Sequence, residues 1–368
     1  MEEIETRKCP PVLDAKQPVV LNLMITDACN LACQHCYVSS CPVPAKAGYM
    51  KPAQLDFILK SMEKENVELV HIFGGEPFLH PDIRDIVETC SDFCRHVNIA
   101  TNGTVIDEHV PWLAKNRVSL SVNLVGDDPR LLDTIGCKFP LDSIAASAKE
   151  AIQAGIPVNG IVCPFPVEPT PGTNAAFYAS YLHRMHEATG IVDFFILYFS
   201  RLGRGKEVWK RISSSMFEPE GWISFLSALK ASLEMEREPF SVFCEPAFEN
   251  NVFAMLPPSP VQCEMIVQAN VVIKHDLTAY PCVLFLGMDD PRFGVKFDGN
   301  VDKLWAAFND IQSRTITRGA NTCKHCASMP YCGPCVPYIQ DELKDYRCKG
   351  NTGKEIPVGC PLATVRLY

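Results

Sequence analysis

The feature that most constrains what this chain can fold into is a repeated beat of short apolar runs and amphipathic stretches. Runs of strand length fall at 19–25, 67–73, 97–100, 118–124, 158–163 and 192–199. Between them, helical periodicity is read at 52–64, 82–94, 108–115, 143–154 and 175–188, with Leu55, Ile58, Leu59 and Met62 sharing one face of the first. A further helix is read at 219–236. Six strand-helix units in succession predict right-handed crossovers and hence a parallel sheet or partial barrel. In such a barrel the loops after the strands meet at one end, where ligand-binding residues gather.

Three thiols follow the first strand directly. Cys29, Cys33 and Cys36 have C-x3-C-x2-C spacing, a compact metal claw that leaves one position open. In a four-iron cluster each iron normally takes one thiolate, so three cysteines leave an iron able to bind a small molecule. A zinc knuckle is the alternative for the spacing alone. The second strand runs into Gly74-Gly75-Glu76-Pro77, where two glycines let backbone approach a ligand and a carboxylate faces it. As an isolated tetrapeptide this is also an ordinary turn. The third strand ends at Asn102, so all three motifs are expected on one rim.

With 47% hydrophobic and 21% charged residues, 368 residues can bury a large core and are expected to form one big domain plus a smaller one. The expected limits are a lead-in at 1–17, the barrel at 18–205, a helical bridge at 206–256, and a Cys-rich domain at 257–368, with Pro257, Pro258 and Pro260 at the boundary. A net charge of −9 argues against nucleic acid or an anionic membrane as partner. No apolar run approaches the ~18 residues of a membrane span, and the start of the chain is acidic, so a cytoplasmic location is expected. In that reducing compartment 18 cysteines point to metal rather than to disulfides.

Late in the chain, Cys263, Cys282, Cys323, Cys326, Cys332, Cys335, Cys348 and Cys360 make eight thiols, enough for two four-thiolate sets. One or two zinc sites are the alternative. Cys41 is read as a bystander of the claw, and Cys9, Cys90, Cys94, Cys137 and Cys163 as buried thiols. The stretch 201–206 reads as a loop; Tyr198, Arg201 and Arg204 are expected near the rim, in reach of substrate or, for the arginines, solvated at the surface, and are not assigned a catalytic role.

Together these pieces resemble the radical SAM superfamily, and the C-terminal third looks like its SPASM extension. Cys29, Cys33 and Cys36 match the family's C-x3-C-x-Φ-C motif, and Gly74-Gly75-Glu76-Pro77 its GGEP motif. Ser121 and Asn123 stand where relatives often read S-x-D-G, with Asn in place of the common Asp. The resemblance implies a partial (βα)6 TIM-like barrel followed by a smaller Cys-rich α+β SPASM domain. It implies S-adenosylmethionine chelated to the open iron of a [4Fe-4S] cluster, with Gly74, Gly75, Glu76, Pro77, Asn102, Ser121 and Asn123 around it. Glu76 would accept hydrogen bonds from the bound amine. Reductive cleavage would yield a 5'-deoxyadenosyl radical that takes hydrogen from a substrate.

The resemblance further implies two auxiliary clusters, one on Cys263, Cys282 and Cys335, the other on Cys323, Cys326, Cys332 and one of Cys348 or Cys360, with the remaining late cysteine or Cys244 as eighth ligand. The gap Cys332-Gly333-Pro334-Cys335 is one residue shorter than in the SPASM pattern. Such clusters suit oxidative chemistry: crosslinking, dehydrogenation or decarboxylation of a ribosomal peptide or protein side chain, or of a small metabolite or tetrapyrrole. A flavodoxin- or ferredoxin-type electron donor is implied. With about 18 residues before the first strand, no fused leader-recognition domain is expected, and a peptide substrate would need a separate recognition protein or a short direct contact.

Overall fold

The computed structural model describes residues 18–126, 128–136, 139–212, 215–217, 219–244, 270–288, 290–311, 347–349 and 355–357. The first half alternates β1 (Val19–Thr26), α1 (Pro52–Met62), β2 (Val67–Gly74), α2 (Ile83–Phe93), β3 (His96–Thr101), α3 (Val110–Leu113) and β4 (Val118–Asn123). It continues through α4 (Pro129–Ile135), α5 (Leu141–Gln153), β5 (Val158–Val162), α6 (Pro171–Thr189), β6 (Asp193–Ile196), α7 (Gly205–Ile212), α8 (Pro219–Glu236) and β7 (Ser241–Cys244). After these come β8 (Asn270–Lys274), β9 (Thr278–Tyr280), β10 (Val295–Lys296), β11 (Arg347–Lys349) and β12 (Glu355–Pro357).

Strands β1 to β7 lie side by side in chain order, every neighbouring pair parallel, as the six-unit beat predicts. The sheet is larger than the beat, however. A seventh strand, β7, falls within the stretch read as a helical bridge and pairs with β6. Beyond the proline-rich boundary the chain returns to the same sheet, where β8 pairs in parallel with the other edge of β1 and β9 and β10 follow antiparallel. The first described strands of 257–368 therefore share the barrel's sheet. β11 and β12 form a separate antiparallel ribbon.

The core follows from strand alternation. Leu21, Leu23 and Ile25 of β1, Val70 and Ile72 of β2, and Val97 and Ile99 of β3 are buried in one apolar cluster with Leu55, Ile58, Leu59 and Met62 of α1. Burial of each such side chain contributes about 1.5–3 kcal/mol. The opposite, barrel-interior face is largely polar. Asn22, His71, Asn98 and Ser119 occupy successive partner positions across β1 to β4. A small apolar group of Met24, Phe73 and Val272 shares that side.

Three local readings are corrected. The helix expected at 108–115 is a 3-10 turn, Asp107–His109, leading into a single α-helical turn, because Pro111 suits only the first turn of a helix. α4 was not anticipated, although Asp128 caps it by accepting from the Arg130 N–H, Pro129 opens it, and Gly136 closes it with φ of 68°. The expected loop at 201–206 ends early, since α7 begins at Gly205.

Candidate functional site

The rim at the strand ends is assembled by main-chain bonds before any side chain contributes. The Gly75 N–H donates to Thr26 O at 2.9 Å and the Glu76 N–H to Ala28 O at 2.7 Å, zippering the loop after β2 to the start of the cysteine loop after β1. A Cβ on Gly75 would overlap the Ala28 carbonyl, so this approach requires glycine. Cys41, read as a bystander, closes the far end of the claw through its backbone. It donates to Asp27 O at 2.6 Å and accepts from the Cys29 N–H at 3.0 Å.

Glu76 is fully buried, and both its carboxylate oxygens are engaged within the protein. Oε1 accepts from the Thr101 hydroxyl at 2.8 Å and the Phe78 N–H at 3.2 Å, and Oε2 from the Asn102 N–H at 2.7 Å. Burial pushes its pKa up to about 7, against the pull of these three donors. These bonds tie the loop after β2 to the end of β3 and the loop beyond it.

Asn102, held by Glu76, turns its amide toward the claw. Nδ2 donates to Asn30 Oδ1 at 2.8 Å and lies 3.8 Å from Cys29 Sγ. Asn30 donates in turn to Thr104 Oγ1 at 2.7 Å, and Thr104 donates back to Asn102 Oδ1 at 2.6 Å, closing a ring. Thr101, Thr104 and Asn30 escaped the sequence reading, although the run Thr101-Asn102-Gly103-Thr104 at a strand end was the available signal. Ser121 and Asn123 lie on β4, where Ser121 donates to Asn98 Oδ1 at 3.0 Å and Asn123 to Thr101 O at 3.2 Å.

Cys29 is buried, while Cys33 and Cys36 are half-exposed. Burial pushes the Cys29 thiol up to about 11, with the charges of Glu76 and Cys36 adding to it. A metal must displace that proton. N–H donors are already aimed at the sulfurs: Leu31 N–H at 3.4 Å from Cys29 Sγ and Ser40 N–H at 3.4 Å from Cys36 Sγ, with the Ser40 hydroxyl 3.3 Å from Cys36 Sγ. Such donors favour thiolate and are the usual outer partners of a cluster. Among the described residues no three Cys, His, Asp or Glu side chains converge as ligands of a single ion do. A cluster asks for something else, because each thiolate binds a different iron.

The surroundings also suit an anionic group. Arg204 Nη2 is buried without a hydrogen-bond partner, while its neighbours Nε and Nη1 hold Cys33 O and Ser40 O. An orphaned cationic N–H on a guanidinium bonded to the claw's backbone fits a cluster of net negative charge. His35 is held neutral, its pKa lowered to about 4 by burial and by the Arg204 charge, and its ring meets Phe165 edge-on at 5.3 Å.

Of the late cysteines, Cys282 is within the described region, at the start of a 3-10 turn spanning Val283–Gly287. Burial, Cys36 and Cys282 together hold the Tyr37 hydroxyl well above its ordinary pKa, so the first claw and Cys282 act on the same side chain. The backbone of Cys348 pairs with Ile356 in the β11–β12 ribbon. Cys263, Cys323, Cys326, Cys332, Cys335 and Cys360 lie outside the described residues, as do Cys9 and Cys137. Cys244 is buried in the helix-side core, as are Cys90 and Cys94. Tyr198 donates to Phe217 O at 2.7 Å, and Arg201 stacks 3.5 Å above the Trp209 ring.

Residues 23–169, which span the claw, the Gly74–Pro77 turn and the Asn102 ring, match the Radical SAM superfamily. That stretch of the chain therefore carries a radical SAM domain. Among curated proteins it is similar to the mycofactocin maturase MftC of Mycobacterium tuberculosis, 31% identical over 39% of this chain and 36% of that one. It is similar as well to the GTP 3',8-cyclase of Pasteurella multocida, 28% identical over 41% of this chain and 48% of that one. The chain spans less than half the length of these relatives. In fold it resembles Streptococcus suis SuiB bound to S-adenosylmethionine, with TM-score 0.67 and 18% identity over 88% of this chain and 74% of that one. It also resembles anSMEcpe with bound AdoMet and Cp18Cys peptide, with TM-score 0.60 and 16% identity over 93% and 94% of the two chains. Among the described residues no helix is long and apolar enough to cross a membrane.

Proposed function

We propose that the protein is a radical SAM enzyme of the SPASM type that oxidatively modifies a peptide or protein side chain. The observation that supports this reading is the link from Cys29 through Asn102 to Glu76 at the strand ends. Cys29, Cys33 and Cys36 would hold a [4Fe-4S] cluster, with Gly74, Gly75, Pro77 and Asn102 beside it, and Ser121 and Asn123 on the neighbouring strand. When bound, cluster and S-adenosylmethionine supply a 5'-deoxyadenosyl radical. Glu76 and Thr101 would orient Asn102, and the apolar helix layer would keep water from the strand ends.

The late thiols are assigned to two auxiliary clusters: Cys263, Cys282 and Cys335 in one, and Cys323, Cys326, Cys332 with Cys348 or Cys360 in the other. The eighth ligand would be the remaining late cysteine or Cys244. A flavodoxin- or ferredoxin-type protein would deliver the first electron. A peptide substrate draws support from SuiB, whose fold this chain resembles and which has been seen bound to the precursor peptide SuiA. The second reading, the same chemistry on a small metabolite, rests on the similarity to GTP 3',8-cyclase.

Anaerobic reconstitution followed by reductant and S-adenosylmethionine tests the chemistry: 5'-deoxyadenosine is expected, and its absence with clusters intact would overturn the proposal. Iron and sulfide should correspond to three clusters; a content near one removes the auxiliary assignment. Precursor peptides encoded beside the gene, scored for hydrogen loss by mass spectrometry, separate the peptide from the small-molecule reading.

A further inference from the structure

Arg204 comes from the segment between β6 and α7. It reaches the claw from 171 positions away and holds it at three points. Its Nε donates to Cys33 O at 2.9 Å, its Nη1 to Ser40 O at 2.5 Å, and its own backbone N–H to Cys36 O at 3.1 Å. The approach is built into the backbone. Gly203 has φ of 53°, and a Cβ there would overlap the Tyr37 and Cys36 carbonyl oxygens. Gly203 also donates to Gly287 O at 3.0 Å, so the segment carrying Cys282 is tied to the same point. Arg211 reaches the claw too, donating to Gln34 Oε1.

We propose that Arg204 is the positioning residue of the claw: its guanidinium, bridging Cys33 O and Ser40 O, fixes the loop on either side of Cys36, and its charge raises the reduction potential of the cluster that Cys29, Cys33 and Cys36 would hold. The fork geometry matters because two carbonyls on opposite sides of Cys36 are held by one rigid plane, which a lysine cannot reproduce. The charge matters because reduction adds a negative charge to the cluster, and a nearby cation with a spare N–H stabilises the reduced form. The inference rests on the radical SAM reading of Cys29, Cys33 and Cys36.

The test compares wild type, R204K and R204Q by circular dichroism and thermal unfolding before reconstitution, then by iron and sulfide content, chelator-driven iron release, and EPR-monitored redox titration. The claw cluster is recognised as the signal that changes on adding S-adenosylmethionine. Expected are several-fold faster iron release in both variants and a more negative midpoint in R204Q only, with R204K keeping the wild-type potential. Folded variants that release iron and titrate like wild type would overturn the proposal, as would an equal shift of midpoint in both. If R204Q does not fold, R204K decides through iron release: a wild-type rate overturns the clamp. Failure of the underlying reading looks different: wild-type protein would show no S-adenosylmethionine-sensitive signal, or a C29A/C33A/C36A variant would keep it.

Discussion

Single side chains at the strand ends hold loops together more than they face outward. Glu76 accepts from three donors on two loops, and its removal leaves the Asn102 and Phe78 N–H groups and the Thr101 hydroxyl with lost partners. Each buried donor left unsatisfied costs about 1–3 kcal/mol. We therefore expect Glu76→Ala to lower stability by about 2–4 kcal/mol in chemical denaturation of the metal-free protein; an unchanged midpoint would show that the carboxylate does not hold the rim. His71 offers a pH test. Burial lowers its pKa from 6.5 to about 4, with a bond from Asn98 opposing. The unfolded chain thus binds a proton that the folded one refuses between those values, so stability is full above pH 6.5 and falls as pH drops toward 4. The loss reaches up to roughly 3 kcal/mol. In H71Q the pH dependence of unfolding over that window should shrink by about one proton; an unaltered slope would mean that His71 is solvated.

At the scale of elements, α6 and α8 carry much of the far side of the molecule. Trp222 of α8 is fully buried and packs 5.1 Å from the Phe225 ring and 5.2 Å from the Tyr198 ring. Trp222→Ala is expected to cost about 3–5 kcal/mol, read as a shift in denaturation midpoint at constant slope. The start of α6 is secured by a capping box in which Thr170 and Thr173 serve each other's backbone N–H, with Gly190 closing the far end at φ of 83°. Long elements of this kind were legible because periodicity and caps are local. α4 was equally legible in principle from Asp128-Pro129 and Gly136. β7 was not, since four residues between α8 and the next stretch carry too little pattern to distinguish strand from loop.

Over the whole molecule, the strand that carries the cysteine claw is central only because a distant segment pairs with it. β8 covers the edge of β1 from Val20 to Met24, and the Met24 carbonyl accepts from the His275 N–H at 2.9 Å. Ending the chain after Cys244 would leave β1 as an exposed apolar edge, the template for strand-to-strand aggregation. Such a truncation should appear in aggregates by size-exclusion chromatography and fail to bind iron; a monomeric, iron-loading product would show that the parallel strands suffice.

The sequence by itself determined the order of the first six strands, since six local βα units and a chiral crossover leave little choice. The chemical kind of site it implies is carried by residue identity, in the cysteine spacing and a Gly-Gly-Glu-Pro turn at a strand end. Tertiary structure decided what each polar group does. Glu76 proved to be a tie between loops, Arg204 a clamp on Cys33 and Ser40, and Asn102 the link from carboxylate to thiol. The reason is physical: a hydrogen bond spends its partner within a few ångströms in space, and these partners lie 26 to 171 positions apart along the chain.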